Sequence, residues 1–153
     1  MEEQIKSKER VAEHGEVFTN TREVNAMLDM VQSESERIDS RFLEPACGTG
    51  NFLAEVLRRK LVTVKRQYGK FSVDYEKYSV LAVSSIYGVD IQQDNVDECR
   101  KRMYDIWNKE YTKNCKDICA DDCREAVRYI LSHNILCGDA LTMLQSNGEP
   151  ITF

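Results

Sequence analysis

Three short apolar runs punctuate the chain, and each ends in a carboxylate: Phe42-Leu43-Glu44, Ile86-Tyr87-Gly88-Val89-Asp90-Ile91 and Asn134-Ile135-Leu136-Cys137-Gly138-Asp139. They read as buried strands. Between them the apolar residues recur at helical spacing. Phe52, Leu53, Val56, Leu57, Leu61 and Val64 form one stripe, with Arg58, Arg59, Lys60 and Lys65 on other faces, which predicts an amphipathic helix from Asn51. A connection over Tyr68–Asp74 is expected next, then a helix over Tyr75–Ser85 with Tyr78, Leu81 and Ala82 inward. A helix over residues 92–110 presents Val96, Cys99, Met103, Ile106 and Trp107, and another runs to about Ser132 with Val127, Ile130 and Leu131 inward. Strands alternating with helices predict an α/β fold with a parallel sheet and right-handed crossovers.

Before the first strand the pattern is weaker. Residues 2–13 are charged with sparse apolar positions, His14–Asn20 breaks that pattern with Gly15, and Thr21 is placed to cap a helix carrying Val24, Met27, Leu28 and Val31. Gln32–Ser40 is polar and acidic and reads as a surface connection. The expected division is an N-terminal helical segment, 1–40, and an α/β domain, 41–153.

The segment Phe42-Leu43-Glu44-Pro45-Ala46-Cys47-Gly48-Thr49-Gly50-Asn51-Phe52-Leu53 has the order strand, glycine loop, helix, which makes a ligand site at the carboxyl end of a strand. Gly48 and Gly50 permit positive φ and close approach of a ligand to the backbone. A dinucleotide fingerprint wants a third glycine where Leu53 stands, and a phosphate-cradling P-loop wants a lysine that this loop lacks. Glu44 at the mouth repels a pyrophosphate and suits a cation. S-adenosylmethionine, with an ammonium and a sulfonium, fits that chemistry. The first amides of the following helix face its carboxylate. In a parallel sheet Glu44, Asp90 and Asp139 fall along one edge. Asp90 is placed to accept from ribose hydroxyls, with Ile91 against the adenine face. Asp139 is placed to accept from the adenine amino group, with Ala140 and Leu141 as apolar contacts. Against this stands the capping role common to strand-terminal acids.

Composition narrows the picture. At 153 residues the chain fits one domain. No apolar run approaches the roughly 20 residues that span a bilayer, and the polar start Met1-Glu2-Glu3-Gln4 is no signal peptide. The expected setting is the cytoplasm with no membrane partner, and the thiols of Cys47, Cys99, Cys115, Cys119, Cys123 and Cys137 are expected reduced. The formal net charge of −5 counts against the chain gripping DNA unaided. Cys115, Cys119 and Cys123 are four apart, which places them along one helix face, but their spacing is not that of common zinc sites. No metal site, acid–base pair or hydrolytic triad is apparent.

The glycine-loop segment resembles the cofactor loop of amino-group DNA methyltransferases, and more narrowly that of the adenine-specific methylase subunits of bacterial restriction–modification systems. Tyr87-Gly88-Val89-Asp90-Ile91 resembles their ribose-binding strand, and Cys137-Gly138-Asp139-Ala140-Leu141 their adenine-contacting strand. Gly15-Glu16-Val17-Phe18-Thr19 is similar to the segment lying over the methionyl part of the cofactor, although Asn20 stands where the family usually has proline. The resemblance implies a Rossmann-like methyltransferase fold of which this chain carries the N-terminal part, three parallel strands with flanking helices. It also implies S-adenosylmethionine as cofactor, held by Phe18, Thr19, Glu44, Pro45, Ala46, Cys47, Gly48, Thr49, Gly50, Asp90, Ile91, Asp139, Ala140 and Leu141.

The family's catalytic signature, Asn or Asp followed by Pro-Pro and an aromatic residue, holds the target amine and stacks on the flipped base. It does not occur here, where the prolines are Pro45 and Pro150; Ile151-Thr152-Phe153 reads as the opening of a fourth strand. The expectation is a cofactor-binding portion without catalytic residues of its own, inactive alone. It would reach DNA only through further regions or a partner subunit, and would self-associate or pair with a complementing chain. Two alternatives stay open: a degenerate non-enzymatic relic acting as an interaction module, and a methyltransferase for RNA or protein.

Overall fold

A computed structural model describes residues 9–11 and 19–153. The expected strands are present as β1 (Phe42–Glu44), β2 (Ile86–Asp90) and β3 (Ile135–Asp139), paired in parallel in the order β1-β2-β3. A fourth strand, β4 (Leu144–Gln145), joins β3 antiparallel through a tight hairpin, so the sheet is mixed. Ile151-Thr152-Phe153 does not open a strand; the segment returns along the hairpin instead, with the Ile151 amide donating to the Met143 carbonyl at 2.8 Å. Residues 9–11 are helical, and six further helices of the described residues complete the α/β fold: α1 (Thr21–Asp29), α2 (Gln32–Glu36), α3 (Asn51–Tyr68), α4 (Ser72–Ser84), α5 (Gln93–Asn114) and α6 (Asp121–Asn134).

Strand alternation sorts the sheet residues into two faces. Phe42, Ile86, Ile135 and Cys137 meet a single core built by α1 and α3–α6, including Val24, Leu28, Leu53, Leu57, Val64, Val83, Val96, Met103, Trp107, Val127 and Leu131. The opposite face carries Leu43, Tyr87, Val89 and Leu136, and its cover among the described residues is the C-terminal segment. Val89 and Leu136 pack with Ile151, and the Tyr87 and Phe153 rings meet edge to face at 5.1 Å. Gly138 records how close that segment comes, since a Cβ there would lie 2.6 Å from the Leu144 carbonyl oxygen. Toward β1 the cover ends, and Leu43 is 56% and Phe153 54% exposed. β1 is also the end strand of the sheet.

Several local expectations are corrected. Asn20, not Thr21, caps α1, its side-chain oxygen accepting from the Glu23 amide at 2.9 Å. Met27 and Val31 are half-exposed, while Val24 and Leu28 alone make the inward stripe of α1. Gln32–Ser40 is no bare surface connection: its first five residues form α2 with Ser35 buried, and Ile38 and Ser40 beyond it are buried as well. The connection at 68–74 shrinks to Gly69–Phe71, because α3 continues to Tyr68 and α4 starts at Ser72. Leu81 faces out, and Tyr75, Ser79, Ala82 and Val83 fill the inward positions of α4. Cys115, Cys119 and Cys123 do not share a helix. Cys115 ends α5, Cys119 lies in the connection and Cys123 sits in the first turn of α6. The chain turns there because the Ile118 and Cys119 amides bond back to the Cys115 carbonyl and Ser72 holds Asp117 at 2.6 Å.

Lys60 is the largest departure. The helical pattern leaves it to a polar face, yet it is fully buried. Its ammonium donates to the carbonyls of Arg37 at 2.7 Å, Ile38 at 3.1 Å and Ser40 at 2.6 Å, and to the Ser40 hydroxyl at 3.1 Å. One cation thereby gathers three carbonyls of the turn before β1, two of which also accept from the Ser40 and Ser85 hydroxyls, and β1 is anchored over α3. Burial lowers the Lys60 pKa to about 8.

Candidate functional site

The strand registers bring the three carboxylates to one rim. Glu44 pairs level with Gly88 and Asp90 level with Cys137, so each acid stands two residues beyond its neighbour and one strand over. At about 3.3 Å per residue and 4.8 Å per strand, the steps between successive tips are roughly 8 Å. Alternation puts Glu44, Asp90 and Asp139 on the face that bears α3 and α5, which both begin at this rim.

The glycine loop closes the rim from β1 to α3. Gly48 and Gly50 have φ of 54° and 89°, the left-handed region that glycine enters without strain. The Cys47 amide donates to the Val89 carbonyl at 2.9 Å and the Gly50 amide to the Cys47 carbonyl at 2.9 Å, which fold the loop back over β2. A Cβ on Gly50 would sit 2.7 Å from the Cys99 sulfur of α5, so the loop is seated against that helix. Cys47 is buried in the turn. The Cys99 thiol beside it and burial together push its pKa far up, which keeps it a neutral thiol rather than a nucleophile.

Each acid caps the loop that follows it. Glu44 Oε1 accepts from the Ala46 amide at 3.1 Å, Asp90 Oδ1 from the Gln92 amide at 2.9 Å and Asp139 Oδ1 from the Leu141 amide at 2.8 Å. Asp90 is further engaged: Oδ2 accepts from the Gly48 amide at 3.0 Å and Oδ1 from the Asn95 side chain at 3.2 Å. Asp90 thus ties the glycine loop to β2 and α5. By contrast, Glu44 Oε2 and Asp139 Oδ2 accept no hydrogen bond from the described residues. No described basic side chain forms an ion pair with any of the three acids. Glu44, half-buried and without a counter-cation among the described residues, has its pKa raised by burial, against which the Ala46 amide works.

The remaining predicted positions fall around this rim. Pro45 and Ala46 are exposed and Thr49 is half-buried on the loop; Ile91 is 51% and Leu141 95% exposed, and Ala140 packs beside Val89 and Leu136. Phe18 lies outside the described residues, as do residues 15–17. Thr19 is described and reaches the site, its carbonyl accepting from the Asn51 side chain at 2.8 Å. Asn51 in turn accepts from Arg102 of α5 at 2.5 Å. Asn51, Asn95, Cys99 and Arg102 are therefore positioning residues that pattern reading missed. Asn51 was within reach of it, being the first residue after the loop; Asn95, Cys99 and Arg102 reach the site only through the way α5 packs. Arg10 also comes to this rim, bonding Asp94 in the first turn of α5 at 2.6 and 3.1 Å.

The arrangement is an acidic rim beside a loop that lacks side chains at Gly48 and Gly50, chemistry that favours a cationic ligand over a phosphate. Among the described residues no group of three or more His, Cys, Asp or Glu could hold a metal ion, and no helix is long and apolar enough to cross a membrane. No family model, no curated protein and no solved structure matches the chain.

Proposed function

We propose that the chain is the cofactor-binding portion of an S-adenosylmethionine-dependent methyltransferase of Rossmann-like fold, of the adenine-specific DNA class found in restriction–modification systems. The observation that carries this reading is the set of three strand-terminal acids on one rim, with one oxygen of Glu44 and one of Asp139 unpaired among the described residues, around a loop whose glycines take positive φ. That set of acceptors fits a cationic nucleoside. In this reading Glu44 faces the ammonium, Asp90 and Ile91 the ribose and adenine, and Asp139, Ala140 and Leu141 the far edge of the base. Gly48 and Gly50 admit the methionyl arm, and Thr19 lies beside it. The cofactor supplies a methyl activated by its sulfonium; this chain's residues bind and orient it. The target amine is held by residues outside this sequence, reached through further regions or a partner chain, because no Pro-Pro signature is present. The open sheet face around Leu43 and Phe153 is where such a complement would seat.

Calorimetric titration with S-adenosylmethionine tests this. Saturable binding that weakens on Asp139→Ala supports it; no heat at millimolar ligand overturns it. One observation favours a second reading, a relic that no longer binds the cofactor. Asp90 already accepts three hydrogen bonds from Gly48, Gln92 and Asn95, which leaves about one of its four lone-pair positions for a ribose diol. A folded chain silent in the same titration is the result that reading predicts.

A further inference from the structure

Far from the acidic rim, α3 and α5 lie side by side and enclose a surface groove of about 510 Å³. Its floor is apolar: Leu61, Val62 and Ile106. Val62 is 65% exposed, a β-branched side chain presented to solvent in the middle of a helix. The walls are cationic, with Arg58 and Lys65 from α3 and Lys109 and Lys113 from α5, against the single carboxylate of Glu110. Among the described residues no carboxylate comes within ion-pair distance of Lys65, Lys109 or Lys113. In a chain of net charge −5 this is a local reversal of sign. Lysines in the last turn of a helix complement its dipole, which accounts for Lys65 and Lys113. It does not account for Lys109 or for the exposed Val62; Arg58, two turns before Lys65, pairs with Glu55 of its own helix at 3.4 Å.

We infer that this groove docks an amphipathic helix of a partner polypeptide, one whose apolar stripe is flanked by Asp or Glu. Two facing helices offer a ready groove for a third, read by apolar anchors at helical spacing. The walls run from Arg58 to Lys65 and from Ile106 to Lys113, about 10 Å each, which matches two turns of an occupant helix. The apolar floor carries little value for a nucleic-acid backbone, whose phosphates seek charge and hydrogen-bond donors; a helix with Leu on one stripe and Glu on its borders uses both floor and walls. Because α3 and α5 start at the acidic rim and the groove lies toward their other ends, an occupant leaves the rim open.

The test uses two blocked synthetic helices of roughly 18 residues, long enough to hold helix in water. Both carry Leu at i, i+4, i+7 and i+11; one has Glu on the flanks and the other Lys. Binding to the whole chain is read by anisotropy of a fluorescent label and by amide NMR shifts at Val62 and Ile106. The Glu peptide is expected to bind at least about tenfold more tightly than the Lys peptide, to shift Val62 and Ile106, and to weaken about tenfold on the exposed double reversal Lys65→Glu with Lys109→Glu. Val62→Asp, also an exposed site, is expected to weaken it without changing the melting temperature. Equal affinities, no binding, or shifts elsewhere overturn the proposal. So does a DNA duplex of about 20 base pairs that displaces the Glu peptide and shifts the same two amides, which would make the groove a nucleic-acid contact.

Discussion

Substituting Gly50 probes the seating of the glycine loop directly. Gly50→Ala adds one methyl group at φ 89°, where its carbon meets the Cys99 sulfur at 2.7 Å and the Cys99 Cβ at 3.5 Å. The left-handed conformation costs an L-residue roughly 1–2 kcal/mol. Forcing a methyl into an occupied site adds about 1–3 kcal/mol. The expected loss is therefore roughly 2–5 kcal/mol, which for a chain of this size lowers Tm by about 10 °C. The two contributions separate in a double-mutant cycle. Cys99→Ala deletes the sulfur and leaves a Cβ contact at an ordinary 3.5 Å. In that background Gly50→Ala is expected to cost only the conformational part, about 1–2 kcal/mol, giving a coupling of roughly 1–3 kcal/mol between two residues 49 positions apart. Urea unfolding followed by circular dichroism measures all four corners. Equal costs of Gly50→Ala in the two backgrounds would refute the close approach of loop and α5, and with it the rigid mouth of the site.

Three further outcomes are expected. Asp90→Ala removes the acceptor of the Gly48, Gln92 and Asn95 donors, and is expected to destabilise the fold by about 1–3 kcal/mol and to weaken cofactor binding at least about tenfold, read by urea unfolding and calorimetry. Lys60 gives a pH signature: the unfolded chain keeps its proton to 10.5 while the folded one releases it near 8, so between those values the unfolded state binds more protons and stability rises with pH, by up to about 3 kcal/mol. Lys60→Met should flatten that rise, and identical pH curves for the two proteins would contradict the buried cation. Because no described residue covers the sheet face and edge around Leu43, sedimentation velocity should detect concentration-dependent association of the isolated chain, and Leu43→Lys should reduce it; a monomer at every concentration would count against an interaction surface there.

Those features were legible in the sequence to different degrees, for physical reasons. The parallel strands could be placed because each is a short apolar run closed by an acid, and their ends converge on one rim because parallel strands must. The glycine loop could be placed because glycine enters the left-handed φ region found at positions 48 and 50 without the strain other residues meet there. Lys60 could not: its charge reads as surface, and the carbonyls that justify its burial come from Arg37, Ile38 and Ser40, more than twenty positions earlier in two of the three cases. Cys115, Cys119 and Cys123 imitate helical spacing, yet three backbone bonds to the Tyr111 and Cys115 carbonyls end one helix and turn the chain before the next begins. β4 has two residues and no pattern to detect; it exists because the chain after Asp139 folds back across Gly138. The occupancy of Asp90 by Gly48, Gln92 and Asn95 is likewise a product of packing, and it is the feature that weighs most against a ribose at that carboxylate.

In the proposed reading the acidic rim recognises a cationic nucleoside donor. Crystals grown with sinefungin, an amine-bearing analogue of S-adenosylmethionine, put this to the test. Density spanning the loop at Gly48 and Gly50 and reaching Asp139 is the predicted result; a well-ordered rim with no density there, or analogue bound elsewhere on the chain, would contradict it.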